Sequence, residues 1–227
     1  QWGAYTGSIG WNPLDKNPWG THFNLDDPDF QKTIAWYFGL VEKGYMPSYE
    51  IFGKRSGSYQ QVAQGKAVLG MNGSWMISTF ASIPGIDLQI VPTPVGPRGH
   101  RASPFNGLAD SVTKFADDKA AAGKWVAYLG SSECQMKVAD AGVVLPARSE
   151  AMERSIQVRE DAGFDVGPFA LHVKDGTTQD PAVTVNAADV AALTSPGFEA
   201  VFIGQKDVTY LSELNHQVNR LLSLTSS

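Results

Sequence analysis

The eleven residues Gly65-Lys66-Ala67-Val68-Leu69-Gly70-Met71-Asn72-Gly73-Ser74-Trp75 constrain the fold more than any other stretch. Ala67 to Met71 is a short apolar run that reads as a buried strand. Asn72-Gly73-Ser74 then supplies turn chemistry and an N-cap for a helix running from Trp75 through Phe80. A large indole is thereby set beside small residues that expose the backbone. A ligand lying over this helix start would meet free N–H groups and an aromatic face.

The remaining punctuation is mostly helical. Asp27 caps a helix with Pro28 at its first position, and Phe30, Ile34, Tyr37, Phe38 and Val41 form a core stripe that Gly44 ends. A short helix over residues 58–64 stops at Gly65. Asp87 to Val91 alternates as a strand should, and Leu108 to Val112 is the next strand candidate. Asp117 or Asp118 opens a helix on which Ala121, Trp125, Tyr128 and Leu129 share a face, which makes Trp125 a core residue. After the break at Gly130, Ser131 or Ser132 restarts a helix that Gly142 terminates, and Val143 to Pro146 is extended. Residues 149–162 read as a charged, solvated helix, and residues 163–186 show no period. Asp207 caps a last helix with Val208, Leu211, Val218, Leu221 and Leu222 on one face. The first two dozen residues are loop-like yet carry Trp2, Trp11 and Trp19. Either these rings cover a hydrophobic surface, or Trp11 or Tyr5 lines a groove.

Composition excludes several function classes. The chain has 227 residues, 43% hydrophobic and 18% charged, with net charge -5, which is enough to bury one large core or two small ones. Without a basic block, and with aromatic residues not interleaved with Lys or Arg, it has no nucleic-acid footprint. No apolar run has the length needed to span a bilayer. Cys134 is the single cysteine, which leaves no internal disulfide and reads as a packed thiol. Nucleophile elbows, phosphate loops, dinucleotide fingerprints and zinc motifs are all absent. His22, His100, His172 and His216 are scattered one per region, and each reads as a surface residue rather than a ligand. No metal and no cofactor is implied. Asp26, Asp27 and Asp29 cluster, but helix-start chemistry accounts for them.

Taken in order, Gly-Lys-Ala before an apolar strand, Asn72-Gly73-Ser74-Trp75 after it, the helix ending at Gly44-Tyr45-Met46-Pro47, Val91-Pro92-Thr93-Pro94, Phe105-Asn106-Gly107-Leu108, Ser131-Ser132-Glu133-Cys134-Gln135 and Gly142-Val143-Val144-Leu145-Pro146-Ala147-Arg148 resemble the family 1 extracellular solute-binding proteins of carbohydrate ABC importers. The resemblance implies an α/β fold, a lobe of the type II periplasmic-binding-protein kind with helices around a mixed sheet. It places residues 1–142 in the second lobe, 143–200 in a hinge crossover and return to a first lobe not represented in these residues, and 201–227 in a C-terminal helix. It implies a carbohydrate ligand and an ABC permease as partners, no nucleic acid, no catalysis, and a location in the periplasm or on the cell surface as a lipoprotein. Carried over residue by residue, ligand contacts fall on Trp75 with Asn72 and Ser74, on Phe105, Asn106 and Gly107, and on Trp11, Arg148, Asn186 and Asp189. The alternatives are a carbohydrate-active enzyme, whose carboxylates meet only in space, and a binding protein for glycerol phosphate or a polyamine. Basic residues at helix starts, which a phosphate would favour, are sparse.

Overall fold

The computed structural model describes residues 2–48 and 57–225. The chain divides into two compact units, each drawn from separated stretches: Gln1–Gly57, Thr93–Phe105 and Gly176–Ser227 form the first, and Ser58–Pro92 with Asn106–Asp175 the second.

The first unit is built on three long helices. α2 (Pro28–Glu42) starts as its sequence dictates, with Asp27 accepting the Phe30 N–H and Pro28 in the first turn. Its end is set by Gly44 in the left-handed region, with the Gly44 N–H on the Val41 carbonyl. Phe30 and Ile34 are fully buried, and Phe30 is sandwiched against Trp11 with ring centroids 3.9 Å apart. α9 (Ala187–Phe202) and α10 (Tyr210–Thr225) pack on this core through Val190, Val201, Leu211, Leu214, Val218 and Leu222. Their close approach rests on Gly197, where a Cβ would stand 2.7 Å from Leu214 Cδ2. α10 also holds the loop before α2: Asn215 Oδ1 accepts from Leu25 N–H at 2.9 Å and Asn219 Oδ1 from Phe23 N–H at 2.7 Å.

A short first helix, α1 (Gly3–Ser8), precedes this core and lies on β1 (Ser103–Pro104), which pairs in parallel with β2 (Thr178–Gln179). Gly7 permits the contact, since a Cβ there would overlap the Gln179 side chain and lie 2.6 Å from Ala102 Cβ. With an isolated antiparallel bridge between Leu14 and Phe23, these are the ladders among the described residues. They make a much smaller sheet than the mixed one expected.

The second unit contains α3 (Gly57–Ala63, whose first residue is assigned to the other unit), a 3-10 turn over Ser74–Met76, α4 (Ile77–Ala81), α5 (Lys119–Leu129), α6 (Ser132–Asp140), α7 (Ser149–Asp161) and α8 (Gly167–Lys174). Asp118 and Ser131 cap α5 and α6, accepting from Ala121 and Cys134 N–H. α6 and α7 pack against each other. The link between them is held by Arg159 Nη2 donating to Gly142 O at 3.0 Å, Ser78 Oγ donating to the same carbonyl at 2.6 Å, and Gln135 Oε1 accepting from Ala147 N–H.

Several sequence expectations give way here. Ala67–Met71, Asp87–Val91 and Leu108–Val112 form no strand among the described residues, and Val68, Leu69 and Leu108 are exposed at 95, 82 and 92%. Their apolar runs have the composition of strands but no ladder to join. Trp125 is 60% exposed on α5, stacked on Tyr128 rather than buried, because nothing described covers that helix face. Around residue 142 the α6–α7 link is bonded on both sides within the second unit, and residues 176–200 fall in the first unit. Residues 163–186, read as aperiodic, hold α8 and β2. His172 on α8 is buried, not a surface residue. The first two dozen residues hold α1.

Candidate ligand-binding surfaces

The turn before α4 does present an indole. Gly73, and not a side chain, occupies the cap position, and Met76 N–H closes the turn on Gly73 O at 3.0 Å. The six-membered ring of Trp75 folds back on the Gly73 Cα, where any Cβ would overlap Cζ3 and Cη2. Glycine here is room for the ring. Behind it, Ile77 and Phe80 are buried, with Phe80 edge-on to Tyr59, so the turn is anchored while Trp75 remains 47% exposed. The N–H groups of Ser74 and Trp75 enter no hydrogen bond among the described residues. Asn72 and Ser74 flank the ring, both half-buried.

Trp11 has a different fate. One ring face is spent on Phe30 and its Nε1–H donates to Asn24 O at 2.9 Å, so it is a core residue with no stacking face to offer. Tyr5 likewise packs edge-on to Trp36, 5.2 Å between centroids, and burial pushes its hydroxyl pKa up. Trp11 does border a shallow, open cleft of about 500 Å³ lined by Asn12, Asp15, Asn24, Asp26 and Asp27 among others. Most of this polar lining is committed. Asp15 Oδ1 accepts from Thr21 and His22 N–H, and Asp27 caps α2. Asn12 and Asp26 keep side chains free of hydrogen bonds among the described residues. The helix-start reading holds for Asp27, which caps α2, and for Asp29, which lies in its first turn and also pairs with Arg98 at 2.7 Å, but not for Asp26.

The other candidates are dispersed. Phe105 is exposed, its N–H extending the β1–β2 pairing to Gln179 O at 2.7 Å. Asn106 and Gly107 are exposed and belong to the second unit. Arg148 gives its Nε to Gly130 O at 2.7 Å, closing the end of α5. Asn186 sits in the left-handed conformation at the start of α9, with Asp189 exposed in the first turn. Within the second unit, Asn72, Ser74 and Trp75 share one turn and Asn106 and Gly107 are exposed neighbours, while in the first unit Asn186 and Asp189 share the start of α9.

The sequence matches the bacterial extracellular solute-binding protein family over residues 1–166. The chain belongs to that family. Among solved structures, the solute-binding chain resembles maltose-bound T. maritima MalE3 with TM-score 0.76 and 21% identity, over 98% of this chain and 56% of that one. An ABC substrate-binding protein from Listeria monocytogenes in complex with cycloalternan gives 0.75 and 16%, over 96% and 56%. The sugar-binding protein MalE of Xanthomonas citri gives 0.68 and 18%, over 100% and 56%. Comparison with curated protein sequences returns no match. These likenesses establish a fold of the periplasmic-binding-protein kind, and the chain spans a little over half the length of each of these structures. No helix among the described residues is long and apolar enough to cross a membrane.

Proposed function

We propose that this solute-binding chain takes part in capturing a sugar or oligosaccharide outside the cytoplasmic membrane, for delivery to an ABC permease, without turning it over. The observation that carries the reading is the anchored turn presenting Trp75. An exposed indole face beside uncommitted backbone donors suits the apolar C–H face and the hydroxyl rim of a pyranose ring. The sugar-binding solved relatives support the same ligand class. Asn106, Gly107, Asn186 and Asp189 remain candidate contacts in this reading, and the protein would reside in the periplasm or as a surface lipoprotein.

The test is an NMR titration of the chain with maltose and longer glucans, a method that reads weak binding. Saturable shifts centred on residues 72–75, with the glucan recovered intact, are expected. Trp75→Ala should weaken binding by about 1–3 kcal/mol, with the helical signal unchanged. Shifts that ignore this substitution would remove Trp75 from the site, and appearance of shorter glucans would favour an enzyme.

A further inference from the structure

Gly142 follows α6 in the left-handed conformation, and its carbonyl is reached from two sides. Arg159 Nη2 on α7 donates to it at 3.0 Å and Ser78 Oγ on α4 at 2.6 Å, which occupies both lone pairs. The donors lie 17 and 64 residues away along the chain. One oxygen thus ties α4 to the α6–α7 pair.

α4 follows directly on the Ser74–Met76 turn that presents Trp75. It is five residues long, and its two buried side chains, Ile77 and Phe80, anchor one face. Apolar contact is non-directional, so it holds so short a helix in place without fixing its rotation about its own axis. A hydrogen bond has direction, and Ser78 supplies one a single turn after Trp75. The bearing of the indole is therefore set by where the Gly142 carbonyl stands.

Arg159 holds that carbonyl. The side chain is buried, and Nη1 is turned back onto Ser155 of its own helix, so Nη2 is the arm that reaches Gly142. A buried charge with no carboxylate beside it is costly, and an apolar side chain of similar length would fill the same space. Such a side chain could not grip the oxygen. We propose, resting on the sugar-stacking role of Trp75 given above, that Arg159 and Ser78 are positioning residues which act through the Gly142 carbonyl to aim the Trp75 indole.

NMR on the whole chain tests this first without sugar, reading the Trp75 indole N–H, which Trp75→Ala identifies by its loss, and exchange of the Met76 amide that closes the turn. Ser78→Ala and Arg159→Met should each move the indole signal and speed that exchange. Ser78→Thr, which keeps the hydroxyl, should restore both. Ser78 is exposed, so its loss should leave the melting temperature unchanged. In a maltose titration each of the two substitutions should raise Kd about 2- to 10-fold, and the double variant should lie close to the worse single one, because both act on one oxygen. A Trp75 signal and a Met76 exchange rate that ignore both substitutions overturn the proposal, as do fully additive effects on Kd. If maltose leaves residues 72–75 of the wild type unmoved, the sugar reading fails by itself, and the sugar-free signals still decide whether Arg159 and Ser78 aim the ring.

Discussion

Arg159 brings a guanidinium into the α6–α7 pair with no carboxylate to meet it among the described residues. Its partners are Ser155 and the Gly142 carbonyl, and its Nε is buried without a bond. Burial pushes its pKa down. The cost of a buried charge is offset here by Ser155 and by the Gly142 carbonyl just past the end of α6, where the helix dipole is negative. Packing of the long stem should therefore matter more than the charge. Arg159→Met, which keeps the stem, should lie within about 1.5 kcal/mol of wild type, whereas Arg159→Ala should cost about 2–5 kcal/mol. Equal losses in urea melts would show that the carbonyl bonds dominate instead. Asn215 is the opposite case, a buried polar group whose oxygen is fully used on Leu25 N–H. Asn215→Ala strands that buried donor and should cost about 1–3 kcal/mol by the same melts. Neither role shows in a helical wheel of charges. For Arg159 the signal was the small-residue spacing Ala151, Ser155, Arg159, which marks a face pressed against another helix.

At the scale of elements, sequence and structure agree at several locally set boundaries, although the turn before α4 is capped by Gly73 and not by a side chain. Asp27, Asp118 and Ser131 cap the helices they should, because a cap needs only an oxygen and the N–H groups three residues on. They part where the deciding contact is distant. α1 has the composition of a loop and exists through its fit to β1. α9 was hidden by Pro196 and Gly197, which punctuate a sequence but are tolerated where Gly197 meets Leu214. Gly7→Ala tests the first of these. Alanine normally favours a helix by about 0.5–1 kcal/mol, but its methyl would meet Ala102, which cannot move aside. Overpacking of about 1–3 kcal/mol should prevail and lower the melting temperature. Turn chemistry also sets an acid limit. Asp15 and Asp207 are held below the usual carboxylate range by the backbone N–H groups of His22 and Thr209 respectively. Their folded pKa values lie below the unfolded ones, so their contribution is complete above the unfolded value and is lost as pH falls through the folded one. Melting temperatures should drop between pH 5 and 3, in the region of about one unit either side of the ordinary carboxylate pKa. Asp15→Asn keeps an acceptor that does not titrate and should show a shallower drop.

On the scale of the whole molecule, burial is unevenly distributed. The hydrophobic core cluster lies in the first unit, while Val68, Leu69, Leu108, Phe115 and Trp125 of the second stand in solvent. Sequence patterns could assign Val68, Leu69 and Leu108 to strands and Trp125 to a helix face but could not report whether a partner surface was present, since that depends on residues far away in the chain or outside it. The same consideration bears on binding. Trp75 offers one stacking face and two backbone donors, and the described residues of its unit add no second ring to that turn. A buried sugar is normally enclosed over most of its surface, whereas an indole on an open turn covers one side. Each tenfold in affinity is about 1.4 kcal/mol, and each missing hydrogen bond removes about 0.5–1.5 kcal/mol. Losing one stacking face and several bonds therefore lowers affinity by several orders of magnitude relative to an enclosed site. The 227-residue chain should bind maltose or longer glucans no tighter than the millimolar range. Calorimetry at high protein concentration decides this: micromolar binding by a monomer would mean that these residues already enclose the sugar, and that the open turn at Trp75 is not the whole of the site.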